Sequence, residues 1–149
     1  KRMLPKETAE SIGQYMDAIL PEGASLLQQG LPAIALSEHD ALSSAVANDN
    51  HPLLPYAQQV VGYGRPGDVL LAISTSGNSA NVALAVAAAK GLGLNTLGLT
   101  GSSGGRLKEM CDCAITVAGK SPADVQELHL PVYHTLCAML EEKFFGKGK

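Results

Sequence analysis

The stretch LLAISTSGNSANVALAVAAAKGLGL, residues 70–94, joins an apolar run to a polar loop and then to an alanine-rich segment. The apolar run at 69–74 has no polar alternation, which predicts a strand that is buried on both faces. Residues 79–92 predict a helix, closed by Gly91 and Gly93. A buried strand that passes through a short loop into a helix is half of a βαβ unit.

The rest of the chain repeats this alternation. Further apolar runs predict strands at 31–37, 95–100 and 112–118. Helical patterns flank these runs, at residues 6–20, 39–50, 54–64, 106–111 and 122–145. Continuously apolar strands that alternate with helices predict an α/β fold: a doubly wound parallel sheet with helices on both faces, in three αβα layers.

Length and charge exclude several classes of protein. The 149 residues suit one domain with its own core, and a net charge of −3 gives no basis for binding nucleic acid or an anionic membrane surface. No apolar stretch is long enough to span a bilayer. Three cysteines form no disulfide framework, which favours the cytoplasm. The pair Cys111 and Cys113 is one residue too close for the usual metal motif, so we interpret both as small apolar residues.

The loop after the 69–74 strand is the strongest candidate for a binding site. It carries four hydroxyl side chains, on Ser74, Thr75, Ser76 and Ser79. Ligands of open parallel sheets bind at such carboxyl ends, and Gly77 allows close approach of the backbone. Ser79 is a good N-cap residue, so the N–H groups of residues 80–82 are expected to face the loop unpaired.

Those donors, together with the helix dipole, predict a phosphate site that needs no lysine. The alternative is a polar turn with one capping serine, although such a turn needs fewer polar residues. The loop matches neither G-x-x-x-x-G-K-[ST] nor G-x-G-x-x-G, which argues against a nucleotide P-loop and a dinucleotide fold. The glycine-rich loop at 100–105 either lines the same crevice or is only a glycine turn, and we favour the turn.

Residues 69–82, VLLAISTSGNSANV, resemble the phosphosugar-binding signature of SIS (sugar isomerase) domains. The stretches LPAIALS, AVANDN and VQELHLPVYHTLCAMLEEKFF narrow the resemblance to the phosphoheptose (D-sedoheptulose 7-phosphate) isomerases and their DnaA-binding initiator-associating relatives. It covers roughly residues 31–145 and implies a flavodoxin-like SIS topology. We therefore expect a helical connecting segment at 1–30, the SIS domain at 31–145 and a disordered tail at 146–149.

The resemblance implies conversion of D-sedoheptulose 7-phosphate to D-glycero-D-manno-heptose 7-phosphate, an aldose–ketose isomerisation. It also implies a homotetramer or homodimer with sites at subunit interfaces, and a zinc ion. Matched by position, the four hydroxyl residues bind the phosphate, Asn48 and Asp49 contact the substrate, and Gln126 and His134 contact metal and substrate. His134 is also the implied acid/base, a role that suits a side chain that titrates near neutral pH.

Each of these residues has a simpler interpretation. Asn48 and Asp49 can merely end a helix, and His134 can be a core or interface histidine. Gln126 and His134 are also eight residues apart, which is about 12 Å along a straight helix and too far to share one ion. Either Pro131 kinks or breaks the helix, or the two ligands serve sites in different subunits.

Part of the family pattern is missing from the sequence. The resemblance implies a first strand, a Gly-Asn-Gly-Gly-Ser loop and a helix carrying a His and the catalytic Glu, and residues 1–30 contain none of them. We therefore expect that Lys1 is not the natural start and that the chain as given binds zinc weakly or not at all. If these 149 residues were the whole protein, we would expect no isomerase activity. The alternative function is a non-catalytic phosphosugar-binding module that acts as a sensor or protein-binding adaptor.

Overall fold

The computed structural model describes residues 3–146. In chain order the elements are α1 (Lys6–Met16), a short 3₁₀ helix (Gly23–Leu26), α2 (Asp40–Asp49), α3 (Pro55–Tyr63), β1 (Val69–Ser74), α4 (Ala80–Gly91), β2 (Asn95–Gly101), α5 (Gly105–Met110), β3 (Cys113–Val117) and α6 (Pro122–Phe145). The predicted helices and three of the four predicted strands are confirmed, although α1 ends before residue 20. The predicted disordered tail lies, except for Gly146, outside the described residues.

The chain divides into two compact units. Within the described residues, one consists of residues 3–34 with 137–146, and the other of residues 35–136. In the first unit, Met3 forms an isolated antiparallel bridge with Gln28, and α1 is followed by the 3₁₀ helix. The second unit contains the whole sheet and helices α2 to α5, and it carries the candidate site. Among residues 3–146, no helix is both long and apolar enough to cross a bilayer.

The sheet has three parallel strands in the order β1–β2–β3. Ala72 of β1 faces α4 and α5, where it joins a buried cluster with residues of both helices. Gly101 of β2 faces the opposite side, because successive residues of a strand alternate between faces. A Cβ built on Gly101 would lie 3.1 Å from Cγ2 of Val125 in α6. Helices therefore lie on both faces, and the parallel αβα arrangement is confirmed.

Two buried clusters hold α4 in place. The first joins α4 to the sheet and α5 through Ala72, Ala83, Val86 and Leu107. The second joins α4 to α3 through Val60, Ala85, Ala89 and Leu94. Since α4 is packed against the sheet on one side and α3 on another, its N-terminus has a fixed position at the end of β1.

Residues 31–37 do not form the predicted strand. A strand needs a neighbour that pairs with its N–H and C=O groups, and within residues 3–146 the only strand paired with β1 is β2. The carbonyl of Leu36 instead accepts a hydrogen bond from Nε2 of Gln59 at 2.9 Å, and its side chain packs against the cluster around Val60. The prediction was wrong because apolar composition alone does not supply a pairing partner.

The expectation that β1 is buried on both faces was also wrong. Val69, Leu71 and Ile73 are 65%, 39% and 47% exposed, whereas Ala72 and Ser74 on the other face are buried. On the exposed face, α6 lies over the β2–β3 side, where Val125 meets β2. Among the described residues, no helix lies over the apolar side chains of β1 on this face as α6 lies over β2.

Asp112 ties the end of α4 to the start of β2. Its Oδ1 accepts a hydrogen bond from Nζ of Lys90 at 2.7 Å, and its Oδ2 accepts bonds from the backbone N–H and Oγ1 of Thr96, both at 2.8 Å. The hydrogen bonds from Lys90 and Thr96 lower the pKa of Asp112 from 3.8 to about 2. The carboxylate is therefore a pH-dependent connection between a helix and a strand of the fold.

We expect Asp112→Asn to lower the free energy of unfolding at neutral pH, because the carboxylate accepts all three bonds. Since the pKa of Asp112 is lower in the folded chain than in the unfolded chain, its contribution is present above about pH 4 and is lost as the pH falls toward about 2. Urea unfolding of both proteins at several pH values from about 2 to 7 measures the difference in the free energy of unfolding. Glu109→Gln, at an exposed position of α5, is the control. Equal midpoints for Asp112→Asn and the unchanged chain at neutral pH would contradict the assignment.

Candidate functional site

The hydroxyl-rich loop, residues 74–79, leaves the carboxyl end of β1 and enters α4. Ser74 is buried at the end of the strand, and its Oγ lies 2.9 Å from Oγ of Ser79. Ser79 has extended backbone angles at the N-cap position, as predicted, but its hydroxyl makes no capping bond. The hydrogen bond between the two serines thus joins the two ends of the loop. The Ser79 side chain does not cap the N-terminus of α4.

This loop crosses the loop that follows β2. Gly77 has a φ of +67°, and a Cβ built there would clash with the carbonyl oxygen of Gly104. The N–H of Leu107 donates to the carbonyl of Gly77 at 3.0 Å. Gly104 and Gly105 also have positive φ values, so the second loop is the glycine turn that the sequence favours. Backbone packs directly on backbone at this crossing.

Asn78 joins the two loops through its side chain. Its Oδ1 accepts a hydrogen bond from the N–H of Arg106 at 3.0 Å, and its Nδ2 donates to the carbonyl of Ser76 at 3.1 Å. The N–H of Asn78 donates to Oγ of Ser76 at 3.1 Å. The sequence analysis gave Asn78 no role. Asn78 follows a glycine and comes just before a helix. Asn side chains in such turns often form hydrogen bonds to nearby backbone groups, and this pattern could have indicated its role.

The first turn of α4 leaves two backbone donors free. The N–H groups of Ala80 and Asn81 have no hydrogen-bond partner among residues 3–146. The N–H of Val82, which we expected to be unpaired, lies 3.0 Å from Oδ1 of Asn81. The free backbone donors are therefore two rather than three, and they lie at the positive end of the helix dipole. The hydroxyls of the exposed Ser76 and the half-buried Thr75 complete the donor set.

A cavity of about 310 Å³ opens beside this helix end. It lies between α2, α3 and the first turn of α4, and its lining residues are Ser37, Asp40, Ser43, Ala47, Pro52, Pro55, Tyr56 and Asn81. Its volume is at the lower end of the range for small-molecule sites. Asn81 lines the cavity and also belongs to the first turn of α4.

Asn48 and Asp49 are the last two residues of α2, and both are exposed. No hydrogen bond of the described residues connects them to the hydroxyl-rich loop. They follow Ala47, which lines the cavity. The structure thus shows the helix-ending role, and their contact with a substrate stays a prediction.

Gln126 and His134 lie on one continuous helix. Pro131 is inside α6, which it does not break, and both candidate ligands are exposed. Since they are eight positions apart, the rise along the helix between them is about 12 Å. The ring of His134 is edge-on to Tyr133, with centroids 5.0 Å apart. The described chain does not bring the two side chains to one point.

The buried histidine of α6 is His129. It is 3% exposed, and its Nε2 has no hydrogen-bond partner within residues 3–146. The sequence analysis considered a core position for His134, but the structure gives that position to His129.

Comparison with known protein families identifies the chain. A family profile described as the SIS domain matches residues 18–101. The chain belongs to the SIS domain family. The match includes the hydroxyl-rich loop, the cavity and the strands β1 and β2, so the site described above lies within the matched part of this SIS chain.

Curated relatives of this SIS chain are named phosphoheptose isomerase. The protein from Nitratiruptor is 44% identical over 117 residues, which cover 78% of this chain and 63% of the relative. The protein from Crocosphaera subtropica is 43% identical over 140 residues, covering 94% of this chain and 67% of the relative. The chain thus spans about two thirds of the length of the curated relatives that it matches.

Two solved structures have the same fold. The phosphoheptose isomerase of Francisella tularensis aligns with a TM-score of 0.75 and 34% identity, over 91% of this chain and 72% of that chain. The phosphoheptose isomerase GmhA of Neisseria gonorrhoeae aligns with a TM-score of 0.71 and 32% identity, over 93% of this chain and 74% of that chain.

The described residues of this SIS chain do not by themselves fit a zinc ion. Within residues 3–146, no three or more His, Cys, Asp or Glu side chains form a group that could hold a metal. The cysteines are free thiols; burial raises the pKa of Cys111, and Cys113 is exposed. With Gln126 and His134 apart on α6, we derive no catalytic step through a metal.

The loop crossing gives a sharp test of how the SIS site is built. We expect Gly77→Ala to destabilise the fold by about 2 kcal/mol or more, because the new Cβ meets the Gly104 carbonyl and Ala is strained at positive φ. Gly62→Ala is the matched control: it lies in α3 with open space around it, so it should stabilise the fold by about 0.5 kcal/mol. Chemical denaturation measures both. Equal stabilities for the two variants would contradict the crossing.

Proposed function

We propose that this SIS chain is the phosphosugar-binding part of an aldose–ketose isomerase. The substrate is a sugar phosphate, D-sedoheptulose 7-phosphate, and the product is D-glycero-D-manno-heptose 7-phosphate. The observation that carries this proposal is the pair of free amides at the start of α4, next to the Thr75 and Ser76 hydroxyls. The names of the relatives support the choice of substrate.

The geometry supports phosphate binding without a basic side chain. The free N–H groups of Ala80 and Asn81 lie at the positive end of the α4 dipole, where an anion is stabilised. Hydroxyls of Ser76 and Thr75 add donors that rotate to suit the phosphate oxygens. The hydroxyls of Ser74 and Ser79 are hydrogen-bonded to each other, and either can be the donor. The hydroxyl that accepts this bond keeps its own hydrogen free to donate to the phosphate.

An aldose–ketose isomerisation moves a proton between two adjacent carbons and another between their oxygens. The phosphate site anchors one end of the sugar, which keeps the reacting end close to the site and lowers the entropic cost of positioning it. In our proposal His134 relays protons between the oxygens, as a histidine can near neutral pH. In this proposal Asn48, Asp49 and Gln126 hold the hydroxyl groups of the sugar.

We further propose that the protein works in the cytoplasm as a homotetramer or homodimer with sites at subunit interfaces. Exposed apolar side chains of α6 support self-association, among them Leu128 and Leu130 at 40% and 42% exposure. Free rather than paired cysteines are consistent with a reducing compartment. A zinc ion would require ligands in addition to Gln126 and His134.

Removal of two loop hydroxyls tests the phosphate site. We expect the double variant Ser76→Ala, Ser79→Ala to bind sedoheptulose 7-phosphate about 100-fold more weakly or worse, because each hydroxyl donates to a charged oxygen. Isothermal titration calorimetry measures the affinity, and thermal unfolding verifies the fold. Ser103→Ala, an exposed serine of the neighbouring loop, is the control and should bind normally. Unchanged affinity in the double variant would refute the phosphate assignment.

Replacement of His134 separates catalysis from binding. We expect His134→Ala to lose isomerase turnover by about 100-fold or more, the range for a general acid–base group, while binding of the sugar phosphate is largely kept. The exposed position of His134 means that the variant should fold normally. Steady-state kinetics and calorimetry on the same preparations measure the two effects. A fully active variant would remove His134 from the mechanism.

A second candidate function is a non-catalytic sugar-phosphate sensor or adaptor. The separation of Gln126 and His134 on a continuous α6 favours it, since neither side chain is shown next to the phosphate site. An isomerase assay with sedoheptulose 7-phosphate distinguishes the two functions. Binding without turnover, with and without added zinc, would establish the sensor.

A further inference from the structure

Asn78 contacts Ser76 through two hydrogen bonds. The backbone N–H of Asn78 donates to Oγ of Ser76 at 3.1 Å, and its side-chain Nδ2 donates to the carbonyl oxygen of Ser76, also at 3.1 Å. The same carbonyl oxygen lies against Gly105, where an added Cβ would clash with it. Asn78 therefore bonds to a residue whose backbone has little room to move.

The oxygen of the Asn78 amide is bonded to the second loop. It accepts a hydrogen bond from the N–H of Arg106 at 3.0 Å, and the next N–H along the chain, that of Leu107, donates to the carbonyl of Gly77. Leu107 is fully buried, so this attachment belongs to the core of the fold. An amide that accepts at its oxygen and donates at its nitrogen has one orientation, because a flipped amide would lose both bonds.

The hydroxyl of Ser76 is left with a free hydrogen. Its Oγ accepts from the N–H of Asn78, and no hydrogen bond among residues 3–146 uses its O–H. A hydroxyl that accepts one hydrogen bond is polarised and donates the next one more strongly. Ser76 is exposed, so an anion can reach this donor.

We propose that Asn78 is a positioning residue of the phosphate site and that it acts through Ser76. Its side chain fixes the backbone of Ser76 relative to α5, so that the Ser76 hydroxyl is held as a donor before the phosphate binds. The inference rests on the proposed function, because it takes the phosphate to be bound by this loop. Asn78 has a role distinct from phosphate contact, since both polar atoms of its side chain already have protein partners.

A double-mutant cycle on the full chain, with inorganic phosphate as the probe, tests the inference. We expect Asn78→Ala to weaken phosphate binding about fivefold, as the loss of an ordinary hydrogen bond does. The N–H of residue 78 remains in this variant, but the side-chain bonds no longer hold it in place. In the Ser76→Ala background the same substitution should change the affinity less than about twofold, because the hydroxyl that Asn78 positions is absent.

Two further variants complete the experiment. Asn78→Ser removes the amide but keeps a polar side chain suited to a turn before a helix, so it should reproduce the cycle even if Asn78→Ala does not fold. Asn95→Ala is the matched control and should bind phosphate normally. Asn95 is exposed and its Nδ2 lies 3.5 Å from the Gly67 carbonyl, at the opposite end of β2. Phosphate titration followed by NMR measures the affinities, and thermal unfolding verifies the fold.

Two results would overturn the inference and leave the proposed function standing. The first is that the Asn78 variants bind phosphate as the unchanged chain does. The second is that they weaken binding equally with and without the Ser76 hydroxyl, which would mean that Asn78 acts through the fold and not through Ser76. If the unchanged chain binds neither inorganic phosphate nor sedoheptulose 7-phosphate, the proposed function fails and the inference fails with it.

Discussion

The contact between Gly77 and the Gly104 backbone is the constraint on which the candidate site depends. Parallel pairing of β1 with β2 brings the two following loops to one edge of the sheet. They can cross there because neither has a side chain at the point of contact. The crossing fixes Ser76 and the start of α4 relative to each other through backbone atoms, which move less than side chains do. The free amides thus have a defined direction before any ligand arrives.

Packing fixes the helix end at which the candidate site lies. The free amides at the N-terminus of α4 are donors of the kind that stabilise an anion, and Asn81 of the same helix turn lines the cavity between α2 and α3. The buried clusters around Val86 and Ala89 pack α4 against the sheet and α3, and so hold its N-terminus in place.

Local patterns predicted most elements well, and the errors share one cause. The run at 69–74 and the helix from 122 to 145 were predicted with the bounds that the structure has, because strand and helix patterns are properties of neighbouring residues. The segment 31–37 is mostly apolar, as β1 is, yet it is not a strand. The odd-numbered residues of β1 are exposed for a related reason, since burial depends on what another part of the molecule places over them.

The sequence by itself determined the parallel α/β class, the hydroxyl-rich loop at the end of β1 and the free backbone donors at the start of the following helix. These features follow from periodicity, from the donors that each residue type carries and from the free N–H groups of any helix start. Only the tertiary structure decided that Asn78 links the two loops, that His129 rather than His134 is buried, and that Gln126 and His134 stay apart on an unbroken α6. These outcomes depend on which distant surfaces meet, and that is fixed by packing rather than by local pattern.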